Sequence, residues 1–202
     1  MRHNATLGEA RRIAAGATLV VVPCDPQPIR EDHSDVYDPR FPMWKLRHGW
    51  GNALAMAAQL EKDCPARVGD VLECAEPFLI DVADIGPSVY FQCEDEHTTP
   101  WPNPPWSPAN TMPAWAIRHR RPIVSITAKR LGEIDTLDAL AMRFEGRLVE
   151  GVLKEAGKPE RRGTFADGDP LDEFREAFPA DHGREWDAEL WCFVYVIKKG
   201  GD

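Results

Sequence analysis

Residues 117 to 130 alternate apolar and basic or polar side chains, with Ile123, Ser125 and Thr127 on one face and Val124, Ile126 and Ala128 on the other. That two-residue period predicts a long strand, with Pro122 near its start. The rest of the chain supplies partners for it. Ala17 to Val22 is a β-branched run closed by Pro23, and Leu190 to Lys198 is a second apolar run. Val71, Glu73 and Ala75 alternate with Leu72, Cys74 and Glu76 after a Gly69-Asp70 turn, so one side of this strand is expected to face a core. Phe78 to Ala83 and Ser88 to Cys93 read as a strand pair joined across Asp84-Ile85-Gly86-Pro87.

The helical signals are short. Thr6 is an N-cap with Glu9 three residues on, followed by apolar positions at Leu7, Ala10, Ile13 and Ala14, and Gly16 ends the segment. Asp135 caps a helix over 136 to 143, and Asp169 or Leu171 opens another that runs to about Phe178. The stretch from 25 to 60 is expected to be a loop-rich insertion, aperiodic to Trp50 and with a short helix or an ordered lid over 51 to 60. Residues 150 to 170 are charged and glycine-rich and are expected to form a mobile loop, whereas Thr98 to Pro108 is stiffened by five prolines. Together these elements predict a mixed α+β chain, with at least five strands arranged as a small closed barrel rather than a doubly wound sheet.

Length and composition narrow the function. At 202 residues and 43% hydrophobic, the chain can bury a proper core as one domain over 1–202. A formal net charge of −9 argues against affinity drawn mainly from neutralising phosphates, so any nucleic-acid recognition must be local. Five cysteines without a C-x-x-C pair indicate neither a disulfide framework nor a zinc ribbon. Cys93 and His97 have the spacing of two ligands on a turn, but no paired short spacing completes a set, and neither a metal nor a cofactor is expected. Ile13 to Val22 superficially resembles the apolar part of a signal peptide, but Gly16 interrupts it and no cleavage site follows. With no run long enough to span a bilayer, a soluble, cytoplasmic protein that does not contact the membrane is expected.

Several short motifs recur in one order: Val68-Gly69-Asp70-x-Leu72, Glu76, Met112-Pro113-x-Trp115-Ala116, Ile134 with Asp138-Ala139, and Trp186-Asp187 with Trp191. In that order and rough spacing the chain resembles the ASCH-domain proteins of the PUA-like superfamily, and in particular their phage-borne branch, which would place it in a host cytoplasm. The resemblance implies a PUA-like mixed β-barrel with short flanking helices, long loops and a cleft for RNA, modified bases or nucleosides.

Some members of that family resemble amidohydrolases that remove an acyl group from the exocyclic nitrogen of a modified cytidine, using a Lys, a Thr and a Glu. A hydroxyl attacks the amide, the amine eases its deprotonation, and the carboxylate carries protons to the leaving nitrogen. On that resemblance Glu76 is the carboxylate and Thr18 the threonine. The amine has no counterpart, because 16 to 22 contains neither Lys nor Arg. Either catalysis is lost, or Lys45, Arg47 or Arg118 reaches in from elsewhere; their plain alternative is a solvated surface charge.

Trp115, Trp186 and Trp191 read first as core packing, with Trp115 also a candidate ligand contact. Trp101 and Trp106, in the proline-stiffened loop, either stack on a base or cover the end of the barrel. The sequence therefore points to a protein that binds a nucleotide-like small ligand or a short RNA or DNA without the family's hydrolytic chemistry. The alternatives are an amidohydrolase acting on an N4-acylated cytidine and an accessory protein with a protein partner.

Overall fold

A computed structural model describes residues 1–31, 43–47, 49–83, 86–92, 105–146, 148–153, 161–166 and 168–199. In chain order the elements are β1 (Arg2–Asn4), α1 (Leu7–Ala14), β2 (Leu19–Pro23), β3 (Arg30–Glu31), β4 (Met43–Leu46), β5 (Gly49–Gly51), α2 (Ala53–Asp63), β6 (Val71–Ala75), β7 (Phe78–Ala83), β8 (Gly86–Phe91), β9 (His119–Arg130), α3 (Thr136–Ala141), β10 (Leu148–Leu153), β11 (Arg161–Ala166), α4 (Pro170–His182) and β12 (Trp191–Ile197). Five strands form the central sheet in the order β1-β6-β9-β12-β2, with only the β1–β6 pair parallel.

The predicted long strand is the spine of this sheet. Residues 119 to 122 of β9 pair with β6, and 123 to 130 pair with β12. Pro122 stands where the partner changes, with its carbonyl accepting from the Lys198 N–H at 2.9 Å. A residue with no N–H of its own is tolerated there because the ladder is already broken.

Two apolar layers cover the sheet. Val20, Ile123, Phe193 and Tyr195 share one cluster with Ile13 of α1 and Met56 of α2. Leu19, Val21, Cys192 and Val194 share another with Phe174 and Phe178 of α4. Because β2 and β12 are buried on both faces, they read in sequence as continuous apolar runs rather than alternating ones. Each fully buried side chain of the size of Phe178 contributes about 2 kcal/mol. The helix starts follow the sequence: Thr6 and Asp135 both close capping boxes, and Gly16, at φ +93°, takes the left-handed turn after α1.

Three expectations need correction. The sheet is open: β1 and β2 are its edges and are not paired with each other. His3 on β1 is bonded to Glu9 of α1, and Ile13 of the same helix shares an apolar cluster with Val20 of β2, so α1 touches both edge strands through side chains rather than backbone pairs. Before residue 52 the 25–60 region is not simply aperiodic: it holds a three-stranded sheet, β3-β4-β5, anchored by Trp44, which meets Trp191 edge to face at 5.6 Å, while the helix expected over 51 to 60 is present as α2 and runs on to Asp63. Within 150–170, β10 and β11 pair antiparallel from Leu148↔Ala166 to Leu153↔Arg161, where a mobile loop was expected. Among the described residues no helix is long and apolar enough to cross a membrane.

Candidate functional site

Chemistry-bearing side chains gather in two places. The first lies at the end of β6. Continuing the alternation of Leu72 and Cys74 turns Glu76 inward, and it is 1% exposed. A carboxylate this deep needs compensation. Arg118 supplies it with a two-point grip: Nε donates to Oε1 at 2.9 Å and Nη2 to Oε2 at 3.2 Å. The same guanidinium lies 3.9 Å over the Phe91 ring, and His119 Nε2 is 3.7 Å from Glu76 Oε1.

The segment preceding Arg118 explains how it arrives there. Two short 3-10 turns, Ala109–Thr111 and Ala114–Ala116, bury Met112, Ala116 and Ile117 against Ala75 and Phe78. Arg2 holds this segment by donating to the carbonyls of Ala109 and Met112. The Met-Pro-x-Trp-Ala motif is thus a bracket that delivers the next arginine to Glu76. Its tryptophan, expected in the core, points outward instead: Trp115 is 62% exposed, next to an Ala114 carbonyl that accepts from Arg120 at 2.7 Å.

Beside this pair a row of polar groups crosses three strands, because His3, Cys74 and His119 are direct cross-strand neighbours. His3 Nε2 lies 3.2 Å from Glu9 Oε1. Burial works to raise the carboxyl of Glu9, but the His3 hydrogen bond, the charges of His3 and His182, and the Thr6 N–H together hold it below the ordinary carboxylate range. Burial pushes the Cys74 thiol up to about 12, with Glu9 and Glu76 adding to the rise against Arg121. Cys74 is therefore a protonated core thiol and not a nucleophile at neutral pH. Among the described residues no cluster of three His, Cys, Asp or Glu side chains is placed to hold a metal.

Thr18 is not part of this arrangement. Its N–H donates to Ala141 O and its carbonyl accepts from Ile197 N, which places it beside the end of β12, just before β2. Glu76 follows β6, next to Arg118 and His119. The threonine and carboxylate assigned from the resemblance thus stand by strands that β9 and β12 separate. Trp106 is half-buried, one residue before the Ser107 bridge to Phe78; Trp101, Cys93 and His97 lie outside the described residues.

The second place is a cleft of about 630 Å³ between α2, the 23–29 segment and β12. Its floor is Val22, Met56, Phe193 and Tyr195, and its rim carries Asp25, Lys45, Gln59 and Asp63. Lys45 belongs here. Arg47 is not in the lining but holds two residues that are: its N–H donates to Gln59 Oε1 at 2.8 Å and its guanidinium to Asp63 Oδ1 at 2.7 Å. The Tyr195 hydroxyl is 3.4 Å from the Cys64 thiol, and burial together with that contact raises the phenol further, so it stays protonated. Burial, with a contribution from Cys64, likewise takes Cys24 up to about 12.

Sequence reasoning named Glu76 and Arg118 separately, and the fold joins them. It missed His3, Glu9, Cys74 and His119 as one row, and Phe193 and Tyr195 as part of the lining of the cleft. The inward parity of Cys74 was readable; nothing local marked the two histidines. Comparison of the chain with protein-family models, curated proteins and solved structures finds no match in any of the three.

Proposed function

We propose that this chain binds a planar heterocyclic ligand of the nucleoside or nucleotide type in the α2 cleft, as an ASCH-like member of the PUA-like superfamily, without the hydrolase chemistry of that family. The observation that carries the reading is the cleft itself. Its volume of about 630 Å³ falls within the range of small-molecule sites, and its apolar floor includes two aromatic rings beneath a polar rim.

The case against hydrolysis rests on Glu76. A general acid or base must exchange a proton with substrate, yet both oxygens of this carboxylate accept from Arg118, and the side chain is sealed in. Thr18 stands just before β2, with β9 and β12 between that strand and β6, which leads into Glu76. A second reading, stacking of a short single strand, draws on the exposed indole of Trp115, held on a bracket that Arg2 and Arg120 clamp through backbone carbonyls.

A thermal-shift screen with nucleosides, nucleotides and short oligonucleotides tests both, because a ligand that binds only the folded state raises its apparent stability. The cleft reading predicts a rise with mononucleosides or mononucleotides that the Phe193→Ala variant loses. Release of cytidine from N4-acetylcytidine, abolished by Glu76→Gln, would overturn the non-catalytic part.

A further inference from the structure

The cleft has a polarity that its shape alone does not reveal. Of its rim carboxylates, Asp25 is paired with Arg184 at 3.2 Å and Asp63 with Arg47 at 2.7 Å. Gln27, also in the lining, spends its whole amide on the backbone, donating to Cys24 O and Trp191 O and accepting from Trp191 N. Gln59 spends its oxygen on the Arg47 N–H, which orients its NH2 as the group left over. Lys45 alternates with Trp44 along β4, so its side chain leaves the core that Trp44 enters. Among the described residues its ammonium has no hydrogen bond or ion pair. With each acid facing an arginine and one amide spent, the side-chain charge left unmatched in the lining, among the described residues, is positive, the Lys45 ammonium, with the Gln59 NH2 as a neighbouring donor in the lining.

From this inventory we infer that the cleft takes its ligand in an anionic, singly phosphorylated form, with Lys45 and Gln59 holding the phosphate oxygens while the base lies on Phe193 and Tyr195. The inference rests on the proposed reading of the cleft and adds the charge state of its occupant. Acceptor-rich phosphate complements the unmatched ammonium and the amide donor, and hydrogen bonds from an ammonium to it are the stronger, charge-assisted kind. In a chain of net charge −9, such a local cation over an apolar floor also selects where an anion can approach at all.

Calorimetric titration of the full chain with each nucleoside, its 5′-monophosphate and inorganic phosphate provides the test. The monophosphate is expected to bind about tenfold more tightly than its nucleoside at low salt, and the gap should narrow as salt rises. Lys45→Ala should erase the gap while leaving nucleoside affinity in place, Lys45→Arg should keep most of it, and Lys45→Glu should reverse it. Equal affinity for nucleoside and monophosphate, unaltered by Lys45→Ala, would overturn the inference and leave the cleft reading standing. No binding by any nucleoside or nucleotide would end both. Inorganic phosphate binding as tightly as the nucleotide would also overturn the inference, because the base would then add nothing.

Discussion

The two polar regions differ in what their charges are matched against. At the end of β6, Glu76 and Arg118 are matched to each other inside the fold, with Phe91 and His119 closing around them. Around the α2 cleft, the acids are matched at the rim, and Lys45 has no partner among the described residues. Charges satisfied in the interior hold a structure together; a charge left over at an opening is available to a ligand. Of the charged residues the sequence singles out, Glu76 and Arg118 are thus spent on each other, and Lys45 stands at the opening.

That contrast can be broken by experiment. The largest effect belongs to Arg118→Ala, which strands a buried carboxylate and should cost about 3 kcal/mol in urea denaturation. The double variant Glu76→Gln with Arg118→Met, which removes both charges, should recover much of that loss; equal costs for the single and double variants would show that the pair is not what stabilises this end.

A smaller effect follows acidification. Burial, helped by the charges of His3 and Arg12, outweighs the pull of Glu9 and Asp181 and lowers His182 from its ordinary 6.5. A lowered histidine takes up protons more readily unfolded than folded, so its share of stability is present above 6.5 and is lost as pH falls toward the folded value. Glu9, also lowered, adds a second loss, present above its ordinary 4.5 and disappearing below it. The melting temperature should therefore decline in two stages on acidification, and His182→Gln should remove the first.

Smallest are the substitutions on the open side. Lys45→Ala and Trp115→Ala should each change stability by no more than about 0.5 kcal/mol, since neither is buried. A large loss from Lys45→Ala would make it a structural residue and erase the difference between the two regions.

The sequence made legible whatever depends on near neighbours. The spine β9, the apolar runs of β2 and β12, the β7–β8 hairpin and the capped starts of α1, α3 and α4 all follow from period, caps and turns. Hidden were features decided at a distance. β3, β4 and β5 are two to four residues long, too short to show a period, and Trp44 anchors them to a tryptophan far along the chain. The β10–β11 pair was masked by charge and glycine. Glu76 and Arg118 were each visible as candidates, but their grip depends on a sheet register and a bracket of two 3-10 turns. The cleft draws its lining from segments scattered from Val22 to Tyr195, and no local pattern announces such a convergence.

The place of β12 between β9 and β2 has a consequence for how the chain acquires its structure on the ribosome. β2 is translated well before β12, its only sheet partner among the described residues, so the sheet cannot be assembled until Ile197 has left the exit tunnel. Until then two apolar strand edges, Leu19–Pro23 and 123 to 130, wait without their shared neighbour, exposed to pairing with other nascent chains. A molecule organised this way completes its sheet only once β12 has emerged, and its yield in a cell should depend on chaperones that shield those edges until then.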